Sequence, residues 1–301
     1  MTRNILPGWI ALSMLLLAGC TQQLCLGPGD CFTNRNHSIY RNSSTGGFTG
    51  AAHGIPPATS TTVPVPTATS VPTDEPGEME TGAIEPGQES MPVEAADGLV
   101  IQSTLYLPGS ATPAPGVMLL HMLGSNRAAW EQTGLVDTLL ADGIAVLAVD
   151  MRGHGETGGT PDWTLAADDL SRIWSAFTER PEVDATQTAV VGASIGANMA
   201  LTTAAGQPDI QTAVLLSPGL DYRGVTTEDQ LAAYGDRPLF IVASSEDSYA
   251  ASSSRTLAEL GGASVQLEMF DGAGHGTAMF AREPGLNDLI SEWLWTNLAQ
   301  P

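Results

Sequence analysis

From about Pro92 to the C-terminus, apolar runs of strand length alternate with amphipathic stretches of helical length, and this alternation leaves few ways to build a core. The strand candidates are 116–122, 144–150, 188–193, 212–217, 239–244 and 265–270; the helix candidates are 128–141, 164–178, 195–205, 252–260 and 286–298. Nearly continuous apolar strands such as Val117-Met118-Leu119-Leu120 suit a parallel sheet covered on both faces. The pattern therefore predicts an α/β protein of three layers, with a segment near 98–107 adding an antiparallel edge. In such sheets the chemistry gathers where loops leave the carboxyl ends of the strands.

With 301 residues, 43% of them hydrophobic, the chain can bury one sizeable core and holds at most two domains. Its 33 acidic residues stand against 11 basic ones, all Arg, for a formal charge of −22. Nucleic acid and anionic head groups need a basic footprint, so neither is expected as a partner. The acidity reads as a solubilising surface.

Met1-Thr2-Arg3 precedes an apolar stretch from Trp9 to Ala18, too short to span a bilayer but suited to a secretory signal. Leu17-Ala18-Gly19-Cys20 resembles the lipobox of bacterial lipoproteins. That resemblance implies a signal peptide over 1–19 and a diacylated Cys20 as the new N-terminus. The protein would then be exported and held on the outer side of a membrane by its lipid alone. Cys25 and Cys31 remain as a pair, either a small local disulfide or two free thiols.

Pro56 to Pro92 contains eight Pro and seven Thr, and no Phe, Trp or Tyr occurs between Phe48 and Tyr106. Such a stretch cannot build a core. Residues 20–92 therefore read as a disordered, Pro/Thr-rich stalk, of which 56–92 alone reaches on the order of 100 Å when fully extended, and 93–301 as the folded domain.

The strand over 188–193 runs through Gly192-Ala193-Ser194-Ile195-Gly196 into a helix, the strand-turn-helix setting of a nucleophile elbow. The pattern is weak alone and gains force from this setting. A serine hydroxyl needs an imidazole base, and the imidazole a carboxylate that fixes its tautomer. His275 lies in the Gly-flanked loop Asp271-Gly272-Ala273-Gly274-His275-Gly276 after the last strand. Ser245-Glu246-Asp247, past the strand over 239–244, supplies two carboxylates for the third role.

Ser194, the acid and His275, in that order and at strand ends, resemble the triad of the α/β-hydrolase superfamily. His121-Met122-Leu123-Gly124 is similar to the family's His-Gly-x-Gly loop, with Met122 where Gly is usual, and Asp150-Met151-Arg152-Gly153-His154-Gly155 matches its Asp-x-Arg-Gly-His-Gly segment. The resemblance covers 92–301 and implies a three-layer α/β-hydrolase fold with a mostly parallel central sheet of about eight strands. It also implies Asp247 rather than Glu246 as the acid, and an oxyanion hole from the amides of Ile195 and Leu123, with Met122 as the alternative to Leu123. His121, His154, Asp150 and Arg152 are then supports of the loops. Neither a metal nor an organic cofactor is required.

Only about 20 residues separate Ser217 from Pro238, room for one short helix near 227–234 and no large cap. An uncapped domain resembles the dienelactone-hydrolase-like and small carboxylesterase branches, although dienelactone hydrolase itself uses Cys. The expectation is a serine esterase acting on small or medium esters through an acyl-enzyme. A peptidase, amidase or acyltransferase with the same triad, and a non-catalytic surface binding protein, are the alternatives.

Overall fold

The structure, a computed structural model, describes residues 86–110 and 113–298. Residues 1–19, Cys20, Cys25, Cys31 and the Pro/Thr-rich stretch up to residue 85 lie outside the described residues. Eight strands form one sheet: β1 (Gly87–Ser90), β2 (Ser103–Leu107), β3 (Ala114–Leu120), β4 (Ala145–Val149), β5 (Val183–Ala193), β6 (Ile210–Leu216), β7 (Leu239–Ser244) and β8 (Val265–Phe270). Their spatial order is β1-β2-β4-β3-β5-β6-β7-β8. The pairs β1–β2 and β2–β4 are antiparallel, and every pair from β4 to β8 is parallel. Helices α1 (Ala128–Thr133), α2 (Leu135–Ala141), α3 (Trp163–Thr178), α4 (Ile195–Gly206), α5 (Glu228–Tyr234) and α6 (Ser248–Gly261) lie in the crossovers, and α7 (Leu286–Leu298) follows the last strand.

Side chains alternate between the two faces of a strand, so a sheet covered on both sides needs apolar residues at successive positions. Met118, Leu120, Leu147, Val149 and Leu215 face one way and meet Leu170, Ile173 and Phe177 of α3 and Met199 and Leu201 of α4. Val117, Leu119, Val146, Ala148 and Val214 face the other way, onto Trp130 of α1, Leu135 and Leu139 of α2, and Leu286, Ile290 and Leu294 of α7. Each such buried side chain contributes about 1.5–3 kcal/mol. Two apolar layers therefore clamp the sheet and hold its strand ends in fixed register.

The three-layer, mostly parallel sheet expected from the alternation is present, with differences at its boundaries. The domain begins earlier than residue 93: β1 pairs with β2 at the sheet edge, and its Gly-Gln-Glu-Ser residues are all exposed, so no apolar pattern marks them. The helix expected over 128–141 is two helices, because Gly134 takes φ +78° and its N–H caps the Glu131 carbonyl. Helix α6 starts at Ser248, four residues before the expected 252, because Asp247 caps it. The antiparallel strand expected near 98–107 is Ser103–Leu107, one strand in from the edge, while Val100–Ile101 pairs with Val93–Glu94 in a ribbon of its own.

Between β6 and β7 stand a two-stranded ribbon, Asp221–Tyr222 with Val225–Thr226, and the short α5. No large cap covers the strand ends among the described residues. No helix of the described residues is long and apolar enough to cross a membrane.

Candidate active site

Ser194 occupies the junction of β5 and α4 with φ +56° and ψ −121°, a left-handed conformation costing on the order of 1–3 kcal/mol for a non-glycine residue. Its N–H donates to the Leu216 carbonyl at 2.8 Å, which ties the turn to β6. The flanking glycines are dictated by contact: a Cβ on Gly192 would lie 2.0 Å from the Gly196 oxygen, and one on Gly196 would lie 2.3 Å from the Leu120 oxygen. The tight turn lifts the Ser194 hydroxyl above the first turn of α4, whose leading amides have no helical partner.

The two acidic neighbours after β7 divide their work. Asp247 Oδ2 accepts a hydrogen bond from His275 Nδ1, and Asp247 Oδ1 accepts the Ala250 N–H at 3.4 Å. Nδ1 is thereby the protonated nitrogen and Nε2 carries the free lone pair. Glu246 turns to the backbone of the loop that carries His275: its Oε1 accepts the Gly274 amide at 2.8 Å and its Oε2 the Gly272 amide at 2.8 Å and the Ser244 hydroxyl at 2.5 Å. The Ala273 amide in turn donates to Ser244 Oγ at 2.8 Å. Donation from Ser244 and from these amides pulls the Glu246 carboxyl down to about 2. Beyond His275, the Gly276 amide donates to Ser217 Oγ at 3.0 Å, and a Cβ placed on Gly276 would lie 3.9 Å from Ser194 Cβ. The His275 loop thus passes directly over the elbow.

On the other side of Ser194, His121 organises the loop after β3. Its Nε2 accepts the Met151 amide at 3.1 Å, so its Nδ1 carries the proton and donates to the Met122 carbonyl at 2.8 Å. Burial holds His121 down to about 4, which keeps it neutral. In a trans peptide the N–H opposes the C=O, so fixing the Met122 carbonyl on the imidazole turns the Leu123 amide the opposite way. Neither Leu123 N–H nor Ile195 N–H has a protein acceptor among the described hydrogen bonds.

Asp150 accepts the Arg127 amide at 2.6 Å, the Glu156 amide at 2.8 Å and the Arg127 guanidinium, tying the β4 loop to α1. Arg152 is held by Asp169 at 2.7 and 2.9 Å and by Asp97 at 2.6 and 3.1 Å. The buried His154 packs edge-on to His121, 5.0 Å between ring centroids. These contacts brace the loops after β3 and β4. Among the described residues no three His, Cys, Asp or Glu side chains gather as metal ligands.

Ser217 and Tyr222, and the role of Glu246, escaped the sequence reading. Ser217, at φ +52°, receives the Gly276 amide. Glu246 shapes the His275 loop. Tyr222 brings its phenol beside the Ser194 hydroxyl and its ring edge-on to His275, 6.4 Å between centroids. The Arg223-Gly224 turn was the available signal for Tyr222, since both residues take positive φ as a tight hairpin requires.

A family model described as serine aminopeptidase, S33, matches residues 111–234, which include both strand-end loops and the elbow but end before Asp247 and His275. No match is found among curated proteins. Among solved structures, an esterase of Pyrococcus furiosus is similar with a TM-score of 0.62, at 18% identity over 71% of this chain and 92% of that one. The dienelactone hydrolase of Anabaena variabilis is similar with a TM-score of 0.60, at 22% identity over 71% and 99% of the two chains. The chain has the α/β-hydrolase fold. Est1E of Butyrivibrio proteoclasticus, solved with ferulic acid bound, shares that fold with a TM-score of 0.61, at 18% identity over 70% of this chain and 100% of its own. On this α/β-hydrolase fold Ser194 stands at the end of β5, Asp247 just past β7 and His275 past β8.

Proposed function

We propose that the protein is a serine hydrolase that cleaves carboxylic esters of small or medium size through an acyl-enzyme, exported and tethered outside the cell by lipid on Cys20. The observation that carries the catalytic part is the hydrogen bond from His275 Nδ1 to Asp247 Oδ2, in a loop that crosses the strained Ser194 elbow. It leaves Nε2 as the basic nitrogen, with the carboxylate stabilising the imidazolium that forms. The triad expected from the sequence is Ser194, Asp247 and His275.

His275 takes the Ser194 proton as the oxygen attacks the ester carbonyl. The amides of Ile195 and Leu123 hold the developing oxyanion, a contribution of several kcal/mol because it exists only in the tetrahedral state. His275 then protonates the departing alcohol. Water enters, gives its proton to His275 and attacks the acyl-enzyme carbonyl; collapse frees the carboxylic acid and returns the proton to Ser194. The chemistry uses no cofactor.

Among the described residues no large cap covers the strand ends, which supports a small-molecule ester that enters from solvent, and Leu123 and Tyr249, 40% and 45% exposed, offer apolar surface beside the site. The similar folds, one an esterase and another, Est1E, holding ferulic acid, support the same reading. The match to the serine aminopeptidase family model favours amide bonds as a second reading. Hydrolysis of p-nitrophenyl esters from short to long acyl chains, alongside the matching p-nitroanilides, tests both. Turnover of short esters that disappears in Ser194→Ala supports the esterase; turnover of the anilides alone supports the second reading; turnover of neither rejects both.

A further inference from the structure

The ribbon between β6 and β7 brings a phenol to the reacting atoms. Tyr222 lies with its hydroxyl beside that of Ser194 and donates to the Ser217 carbonyl over a long 3.3 Å. Its ring meets the His275 ring at 89°. The placement is built in from several sides. Asn198, buried on α4, donates to the Gly219 and Val225 carbonyls at 2.9 and 2.7 Å and accepts the Gly219 amide at 3.0 Å. The Tyr249 hydroxyl accepts the Asp221 amide and donates to the Asp221 carbonyl, both at 2.9 Å. A Cβ on Gly219 would lie 2.8 Å from ring atoms of both Tyr222 and Tyr249, so the ring positions depend on that glycine.

Sheet order sets the direction of the chemistry. Strand β5 lies between β3 and β6. Leu123 follows β3, whereas Tyr222 follows β6 and His275 follows β8. An ester carbonyl held with its oxygen on the two amides has its alkoxy oxygen toward His275, and therefore toward Tyr222.

We propose that Tyr222 is a catalytic residue that hydrogen-bonds the departing alcohol oxygen while His275 protonates it, which equips the site for esters of aliphatic alcohols, the poorest leaving groups among common esters. This inference rests on the Ser194–His275 reading above. When the tetrahedral adduct collapses, the carbon–oxygen bond to the alcohol breaks, its electron pair stays on the alcohol oxygen, and that oxygen takes the proton from His275 Nε2. Tyr222 keeps its own proton throughout; its hydroxyl swings from the Ser217 carbonyl to the alcohol and back. Burial, and then the nearby charge of Asp247, push the Tyr222 hydroxyl up to about 12, so it remains a donor across the working range.

The test compares wild type with Tyr222→Phe on ethyl, phenyl and p-nitrophenyl acetate. The variant loses roughly tenfold in kcat/KM on ethyl acetate, the scale of one hydrogen bond, and less than twofold on p-nitrophenyl acetate, whose leaving group needs no help. The ratio of the two rates in one sample does not depend on how much protein is folded. An equal loss on all three esters, or no loss on any, overturns the proposal. Hydrolysis that survives in Ser194→Ala would instead reject the underlying triad.

Discussion

His121 Nδ1 donates to the Met122 carbonyl at 2.8 Å, and this one bond fixes the peptide plane whose other side carries the Leu123 amide. On the proposed mechanism the imidazole is then a positioning residue for the oxyanion donor. His121→Asn should lower kcat by roughly ten- to a hundredfold, a fraction of the loss when a whole donor is removed. KM should stay within a factor of about three, since the bond matters only in the tetrahedral state. Steady-state kinetics on a short ester, with a melting curve to establish folding, checks the split.

Asp247 and Glu246 are adjacent but do different things. Asp247→Asn leaves His275 with the wrong hydrogen-bonding partner and should cost on the order of 10⁴ in kcat, as amidation of the carboxylate does in other serine triads. Glu246→Gln removes charge from the backbone clamp on residues 272–274, so it should lower the melting temperature and reduce kcat by no more than about tenfold. If the first variant were silent and the second inactive, the acid would be Glu246.

His121, Glu246 and Asp97 all make the fold sensitive to acid, Asp97 through its hydrogen bonds to Arg152. The folded value of His121 is depressed from 6.5 to about 4 by burial, so the unfolded chain binds the proton first as pH falls. Stability is complete above 6.5 and declines from there toward 4, by up to ~3 kcal/mol. Glu246 is depressed from 4.5 to about 2, so its contribution is present above 4.5 and fades as pH falls toward 2. Denaturant midpoints measured from pH 8 to pH 3 should therefore fall below pH 6.5 and again below pH 4.5. Glu246→Gln should shrink the second decline and leave the first, since Asp97, held down to about 2 by Arg152, still loses stabilisation below 3.8.

The anchor has its own test. Expressed in a bacterium fed labelled palmitate, the wild type should carry the label and sediment with membranes, and Cys20→Ser should do neither. A wild type that stays unlabelled would remove the lipid from the account.

Much of this architecture was legible because burial on both faces leaves a strong trace: β4 is Ala-Val-Leu-Ala-Val and wholly buried. The elbow was equally visible, since steric contact allows only glycine at 192 and 196. β1 was not, because its residues satisfy the β2 edge through backbone alone and face solvent. Nor was the split at Gly134, where apolar spacing continues through a turn set by a backbone angle. Adjacency hid the separate duties of Glu246 and Asp247, which depend on how the chain leaves β7. Tyr222 went unseen because it reaches Ser194 through a two-residue ribbon rather than from a strand end.

The most direct test of the account is mass spectrometry of the protein after treatment with a fluorophosphonate, which reacts with an activated serine. One adduct is expected, on the peptide containing Ser194, and none in Ser194→Ala. A folded protein that takes up no adduct, or takes it up on another serine, would contradict it.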